Sequence, residues 1–116
     1  MRVFLYCRVA HDDGFSLEAQ AVWLRHLAER AGYTIVGASC EYGNGLTLER
    51  PALQEVTEAV LSGKVDMVLI QSVTRLGREW GMAQKYIDLL TAHKVKLLCI
   101  KERVICGSDG ITNFWA

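Results

Sequence analysis

RVFLYCR, at residues 2–8, is an apolar run with its charges only at the two ends. Its hydrophobic residues are continuous rather than alternating, which is typical of a β-strand covered on both faces. Three further runs are also mostly continuous in hydrophobicity: TIVGASC at residues 34–40, DMVLIQ at 66–71 and VKLLCI at 95–100. These four runs predict four strands of one buried sheet.

Helical periodicity fills the gaps between the strands. The first apolar stripe consists of Leu17, Ala21, Leu24, Ala28 and Ala31, the second of Leu53, Val56 and Val60, and the third of Ala83, Tyr86, Ile87 and Leu90. Ser16 is a suitable N-cap for the first helix and Gly32 a suitable stop. Pro51 suits the first position of the second helix, and Gly63 suits its end.

Strands that alternate with helices predict an α/β fold with a doubly wound sheet. The sheet is expected to be mainly parallel, with four or five strands and helices on both faces. With five strands, the fifth would be a short edge strand within residues 101–116, where Gly107 and Gly110 lie. At 116 residues the chain is expected to be a single domain spanning residues 1–116.

Composition narrows the function classes. Thirteen basic and thirteen acidic side chains cancel, so binding to DNA would need local clustering of positive charge. No apolar run reaches the roughly 18 residues of a membrane helix, so no membrane partner is expected. The cysteines Cys7, Cys40, Cys99 and Cys106 lack CxxC spacing. Reduced thiols in a cytoplasmic protein are therefore expected, with Cys7 and Cys99 buried in strands.

Arginines recur where the predicted strands end. Arg8 closes the first strand, Arg50 follows the second, and Arg75 and Arg78 follow the third. Ligands of parallel sheets bind beyond the carboxyl ends of the strands. Guanidinium groups bind phosphate oxygens in bidentate fashion. A phosphate-binding site at this edge is one interpretation. The alternative is solvated loop charges paired with Glu41, Glu49 and Glu79.

Five short motifs resemble one family, the catalytic domain of the serine recombinases (resolvases and invertases). The motifs are YCRVA at residues 6–10, SLEAQ at 16–20, ERPAL at 49–53, GKVDMVLI at 63–70 and TRLGRE at 74–79. They resemble the family's YxRVS, its S-L-x-x-Q, two following segments and its D-R-L-G-R. Each motif alone is weak. Their shared order, from Met1 to about Ile100, makes the resemblance specific.

The resemblance implies a reaction on DNA without metal or other cofactor. The family cuts DNA by attack of a serine on a phosphodiester, and arginines neutralise the charge that develops on phosphorus. By resemblance, Arg8, Arg50, Arg75 and Arg78 fall on these arginines. Gln20 falls on a glutamine that orders the site.

Departures from the family pattern fall on the chemical half of the site. Ala10 stands where the nucleophilic serine is expected, Thr74 replaces an aspartate, and Asn44 replaces a polar serine. The resemblance therefore implies an inactive protein of DNA recombination that acts as a binding or regulatory partner. A mobile genetic element, such as a transposon or an integrating element, is the expected context. The expected partners are DNA, bound weakly through phosphates, a full-length recombinase and a second copy of the chain.

Two other interpretations stay open. The first is an active recombinase domain that uses an unusual nucleophile or is a fragment, and the candidate nucleophiles are Cys7, His11, Ser72 and Thr74. The second is a structural remnant without a role on DNA. The family's subunit-pairing helix and DNA-binding domain are expected to be absent from residues 1–116.

Overall fold

The computed structural model of the chain describes residues 1–9, 14–42, 51–76, 80–108 and 110–113. Within these ranges the side chains of residues 9, 14–17, 42, 74, 80, 112 and 113 are not described. The strands are β1 (Arg2–Val9), β2 (Thr34–Tyr42), β3 (Met67–Ile70), β4 (Lys96–Cys99), β5 (Val104–Gly107) and β6 (Gly110–Asn113). The helices are α1 (Gly14–Arg30), α2 (Pro51–Leu61) and α3 (Trp80–Ala92), with a 3₁₀ turn at Val73–Arg75.

The strands form one sheet in the order β2-β1-β3-β4-β5-β6. The first four are parallel, and β5 and β6 continue the sheet in antiparallel fashion. This confirms the predicted α/β class and its mainly parallel sheet. The expected four or five strands are an underestimate, because the segment after residue 100 folds into a hairpin of two strands. Gly110 begins β6 at a φ of 110°, where residues with a side chain are strained.

Helices cover both faces of the sheet, as predicted. One buried cluster joins Phe4 and Tyr6 of β1 to the apolar stripes of α2 and α3. The other joins the alternate β1 residues Val3, Leu5 and Cys7 to Leu24 and Ala28 of α1. β3 is buried on both faces along all four of its residues, which explains its continuous hydrophobicity.

Most predicted helix ends are confirmed. Pro51 is the first residue of α2, and Gly32 and Gly63 follow α1 and α2 with φ values of 79° and 76°. Both glycines occupy the left-handed region in which helices commonly terminate. The prediction for Ser16 is wrong. α1 begins at Gly14, so Ser16 lies inside the first turn and not at the cap. No helix in the described ranges is long and apolar enough to cross a bilayer.

The four cysteines are free, and the predicted burial of Cys7 and Cys99 is confirmed. Burial raises the pKa of both thiols, and the neighbouring thiol of Cys40 raises the pKa of Cys7 further. Burial also raises the pKa of Cys106, although a hydrogen bond with Cys99 opposes the effect. Only Cys40 is exposed. It should therefore be the thiol that reagents reach.

We expect N-ethylmaleimide to modify Cys40 first in the native protein, leaving the three buried thiols unmodified at the same exposure time. Intact mass spectrometry would show a single adduct, and Cys40→Ser would remove it. Denaturation without reductant should then yield four adducts, because all four thiols are free. A protein that accepts only two adducts after denaturation would instead contain a disulfide.

Candidate phosphate-binding site

Arg8 and Arg75 meet at the carboxyl edge of the sheet. Arg8 lies near the end of β1 and is only 4% exposed, which is rare for a charged side chain. Its Nε donates a hydrogen bond of 2.9 Å to the backbone carbonyl oxygen of Arg75. Arg75 ends the 3₁₀ turn that follows β3. Because the carboxyl ends of parallel strands meet at one edge of the sheet, the two arginines lie close together.

Gln20 holds the backbone at Arg8. The register of β1 with β3 covers only Val3–Leu5, so β1 runs beyond its partner on that side. Gln20 of α1 is buried. Its Oε1 accepts a hydrogen bond from the Arg8 N–H at 3.2 Å, and its Nε2 donates to the Arg8 carbonyl oxygen at 3.5 Å. Since unpaired buried backbone groups are costly, this amide fixes the end of β1 and its arginine.

The guanidinium of Arg75 is only partly satisfied. Its Nη2 donates a hydrogen bond of 2.8 Å to Oε1 of Gln71. Its Nε is buried and has no hydrogen-bond partner among the residues that the structure describes. A buried donor without a partner costs about 1–3 kcal/mol, so such a group needs an explanation. An oxyanion placed against this N–H would remove the cost, which is the chemistry that a phosphate oxygen offers.

Glu41 organises the neighbouring end of β2. One carboxylate oxygen accepts a hydrogen bond from the buried hydroxyl of Tyr6. The other accepts one of 3.1 Å from the backbone N–H of Ala52, the second residue of α2. A carboxylate is favourable at a helix N-terminus, where the first N–H groups lack partners within the helix. Glu41 therefore fixes the start of α2 against the sheet. Glu41 also lies opposite Arg8 in the pairing of β1 with β2.

Two of the alternative nucleophiles are in unfavourable surroundings. Cys7 is fully buried, and its raised pKa keeps the thiol protonated at neutral pH, although the Arg75 guanidinium opposes the shift slightly. Ser72 is 3% exposed, and its hydroxyl donates a hydrogen bond of 2.6 Å to Glu102. Neither group presents a reactive atom to a bulky DNA strand.

Several predicted site residues lie outside the described residues: Ala10, Arg50 and Arg78, together with His11 and Asn44. Thr74 belongs to the 3₁₀ turn through its backbone, but its side chain is not described. Of the predicted site residues, the structure therefore places Arg8, Gln20 and Arg75. Within the described ranges, no three His, Cys, Asp or Glu side chains come together as metal ligands.

Gln71 and Glu102, for which the motifs predict no role, also contact the segment around the 3₁₀ turn Val73–Arg75 (the arginine turn). Their positions carry the same signal as the arginines. Gln71 directly follows β3, and Glu102 lies shortly after β4, so both follow parallel strands at their carboxyl ends. A polar residue at the carboxyl end of a parallel strand is a site candidate whatever its type, and this criterion includes both.

The α/β fold, with Arg8 and Arg75 at the carboxyl edge of its sheet, is that of the catalytic-type domain that the motifs resemble. Residues 3–113 match the family model described as "Resolvase, N terminal domain". Because this match spans nearly the whole chain, the protein belongs to the resolvase N-terminal domain family.

Solved structures of serine recombinases have the same fold. The N-terminal catalytic domain of TP901-1 integrase is 28% identical, with a TM-score of 0.82 over 90% of this chain and 81% of that one. The C-terminal catalytic domain of ISC1926 TnpA, an IS607-like serine recombinase, is 29% identical, with a TM-score of 0.81 over 87% and 70%. A resolvase family site-specific recombinase from Streptococcus pneumoniae is 28% identical, with a TM-score of 0.77 over 88% and 73%.

Proposed function

We propose that this recombinase-family domain binds DNA phosphates at the carboxyl edge of its sheet and does not cleave the strand. The observation that carries the proposal is the buried Nε of Arg75, a donor close to the buried Arg8 that has no partner within the described ranges. A phosphodiester oxygen is the acceptor that suits this position in a protein of DNA recombination.

Arg50 and Arg78 complete the proposed site on the strength of the sequence resemblance. Both belong to motifs that match the family, and both follow the strands whose ends form this edge. Four guanidinium groups concentrate positive charge locally, although the chain as a whole is neutral. Binding to DNA is then weak and independent of base sequence, because phosphates are the recognised groups.

The proposed lack of cleavage rests on Ala10 and Thr74. In the resembling motifs, Ala10 occupies the position of the nucleophilic serine and Thr74 that of an aspartate. A methyl group has no lone pair to attack phosphorus. The domain would then act in the cytoplasm as a binding or regulatory partner, together with DNA and a full-length recombinase of a mobile element.

Titration with inorganic phosphate tests the site. We expect amide resonances near Arg8 and Arg75 to shift, with a dissociation constant on the order of a millimolar, since few contacts are made at a partly open edge. Arg75→Ala should weaken binding at least roughly tenfold, because a charge-assisted contact contributes about 1.5–3 kcal/mol. Arg25→Ala is the matched control, since Arg25 is exposed on α1 and equally charged.

Duplex DNA provides the second arm of this experiment. Fluorescence anisotropy should show binding that weakens steeply between about 50 and 200 mM salt, as expected when phosphate contacts dominate. Arg75→Ala should weaken it and Arg25→Ala should have little effect. Equal losses in both variants would mean a non-specific effect of charge. Unchanged phosphate and DNA affinity in Arg75→Ala would refute the site.

A further inference from the structure

The turn between β4 and β5 is hydrogen-bonded to the segment that carries Arg75. The backbone N–H of Ile100 donates to the carbonyl oxygen of Ile70 at 3.1 Å. The backbone N–H of Lys101 donates to the backbone carbonyl oxygen of Gln71 at 2.7 Å. These bonds extend the pairing of β3 with β4 beyond the ends of both strands. Residues 100 and 101 therefore fix the backbone of Ile70 and Gln71, which lie just before the arginine turn.

Glu102 continues this alignment through its side chain. One carboxylate oxygen accepts a hydrogen bond of 2.6 Å from the Ser72 hydroxyl, and the other accepts one of 3.2 Å from the Val73 backbone N–H. Val73 is the first residue of the 3₁₀ turn, where backbone N–H groups have no partner within the turn. Glu102 thus caps this turn from 29 residues away along the chain.

The capped turn determines where Arg75 lies. The N–H of Arg75 donates to the carbonyl oxygen of Ser72 at 2.9 Å. Its own carbonyl oxygen accepts the hydrogen bond from Arg8, and its Nη2 donates to Gln71. Apart from the bond with Arg8, these hydrogen bonds of Arg75 lead to Gln71 and Ser72, the residues that the β4–β5 turn holds.

The turn that presents Glu102 is itself closely constrained. Arg103 has a φ of 59°, in the left-handed region that costs energy for residues with a side chain. The N–H of Arg103 donates to the carbonyl oxygen of Ile100 at 3.1 Å, which closes the turn. This tight turn restricts the backbone of Glu102, which lies between Ile100 and Arg103.

We infer that Glu102 is a positioning residue for Arg75 in phosphate binding, acting through the hydroxyl of Ser72 and the N–H of Val73. The inference rests on the proposed function for its readout in phosphate affinity. Charge alone predicts the opposite effect. A carboxylate near an anion site repels the anion, so removing it would strengthen binding if Glu102 had no positioning role. The sign of the change therefore separates positioning from simple electrostatics.

Glu102→Ala is the principal variant, with phosphate affinity measured by titration in the folded protein. We expect affinity to fall roughly three- to tenfold, the change that one or two net hydrogen bonds support. Glu102→Gln keeps one carbonyl acceptor and should recover most of the loss. Glu58→Ala is the matched control, because Glu58 is an exposed glutamate of α2, and it should leave affinity unchanged.

A second readout does not depend on phosphate. We expect the buried Nε–Hε group of Arg75 to give a distinct resonance in the wild type. In Glu102→Ala we expect this resonance to move towards those of exposed arginines. If the wild type binds no phosphate, the proposed function fails while this resonance still tests the positioning role. If Glu102→Ala does not fold, Ser72→Ala should show a smaller change of the same sign. Unchanged or tighter phosphate binding with an unmoved Arg75 resonance would overturn the inference.

Discussion

Leu24→Ala is expected to destabilise the domain by about 2–5 kcal/mol, a large share of the stability of a domain of this size. Leu24 is fully buried on the inner face of α1. It packs in the cluster that contains Val3 and Leu5 of β1. Truncation leaves a cavity that the sheet cannot close, because β1 is paired on both sides. The melting temperature should fall by roughly 10–20 °C in thermal denaturation.

Val22→Ala is the matched control for this prediction. Val22 lies on the same helix but is 67% exposed, so its truncation should change stability by no more than about 0.5 kcal/mol. Leu24→Ala should also loosen Gln20, one turn earlier on α1, and with it the backbone of Arg8. Equal melting temperatures for the two variants would mean that α1 does not depend on this buried face.

The parallel part of the fold could be predicted because its signal is local. Continuous apolar runs arise where both faces of a strand are covered, as in β3 between two buried clusters. The β5–β6 hairpin carries no such signal. Val104 and Ile105 are only partly buried, and β6 reads GITN. These residues form strands because β4 offers an unpaired edge, which is tertiary information absent from a local pattern.

The site also has a part that the sequence predicts and a part that it does not. Arg8 and Arg75 could be predicted at one edge, because the carboxyl ends of parallel strands meet there. The link between Glu102 and Val73 could not, because it joins residues 29 positions apart through a turn whose shape depends on the left-handed Arg103. The buried Nε of Arg75, which lacks a partner in the described part of the chain, is likewise a result of packing. The motifs point to the arginines, and only the structure shows which side chains position them.

We expect the protein to form no covalent link to DNA. Unlike phosphate affinity, which is graded, this result is all or none. A phosphoserine bond needs an oxygen to attack phosphorus while the sugar oxygen leaves, and Ala10 offers only a methyl group. The buried Cys7 thiol and the Ser72 hydroxyl bonded to Glu102 are poor substitutes. Supercoiled plasmid incubated with the protein, quenched with detergent and run on a denaturing gel should carry no attached protein.

Ala10→Ser tests whether the serine alone is missing. We expect this variant to form no adduct either, because Thr74 still supplies no carboxylate beside Arg75. A serine recombinase catalytic domain that retains its serine provides the positive control under the same conditions. An adduct formed by Ala10→Ser would mean that Thr74 does not matter and that the arginines are arranged for catalysis. An adduct formed by the wild type, and abolished by replacing one hydroxyl or thiol, would overturn the proposed inactivity and identify the nucleophile.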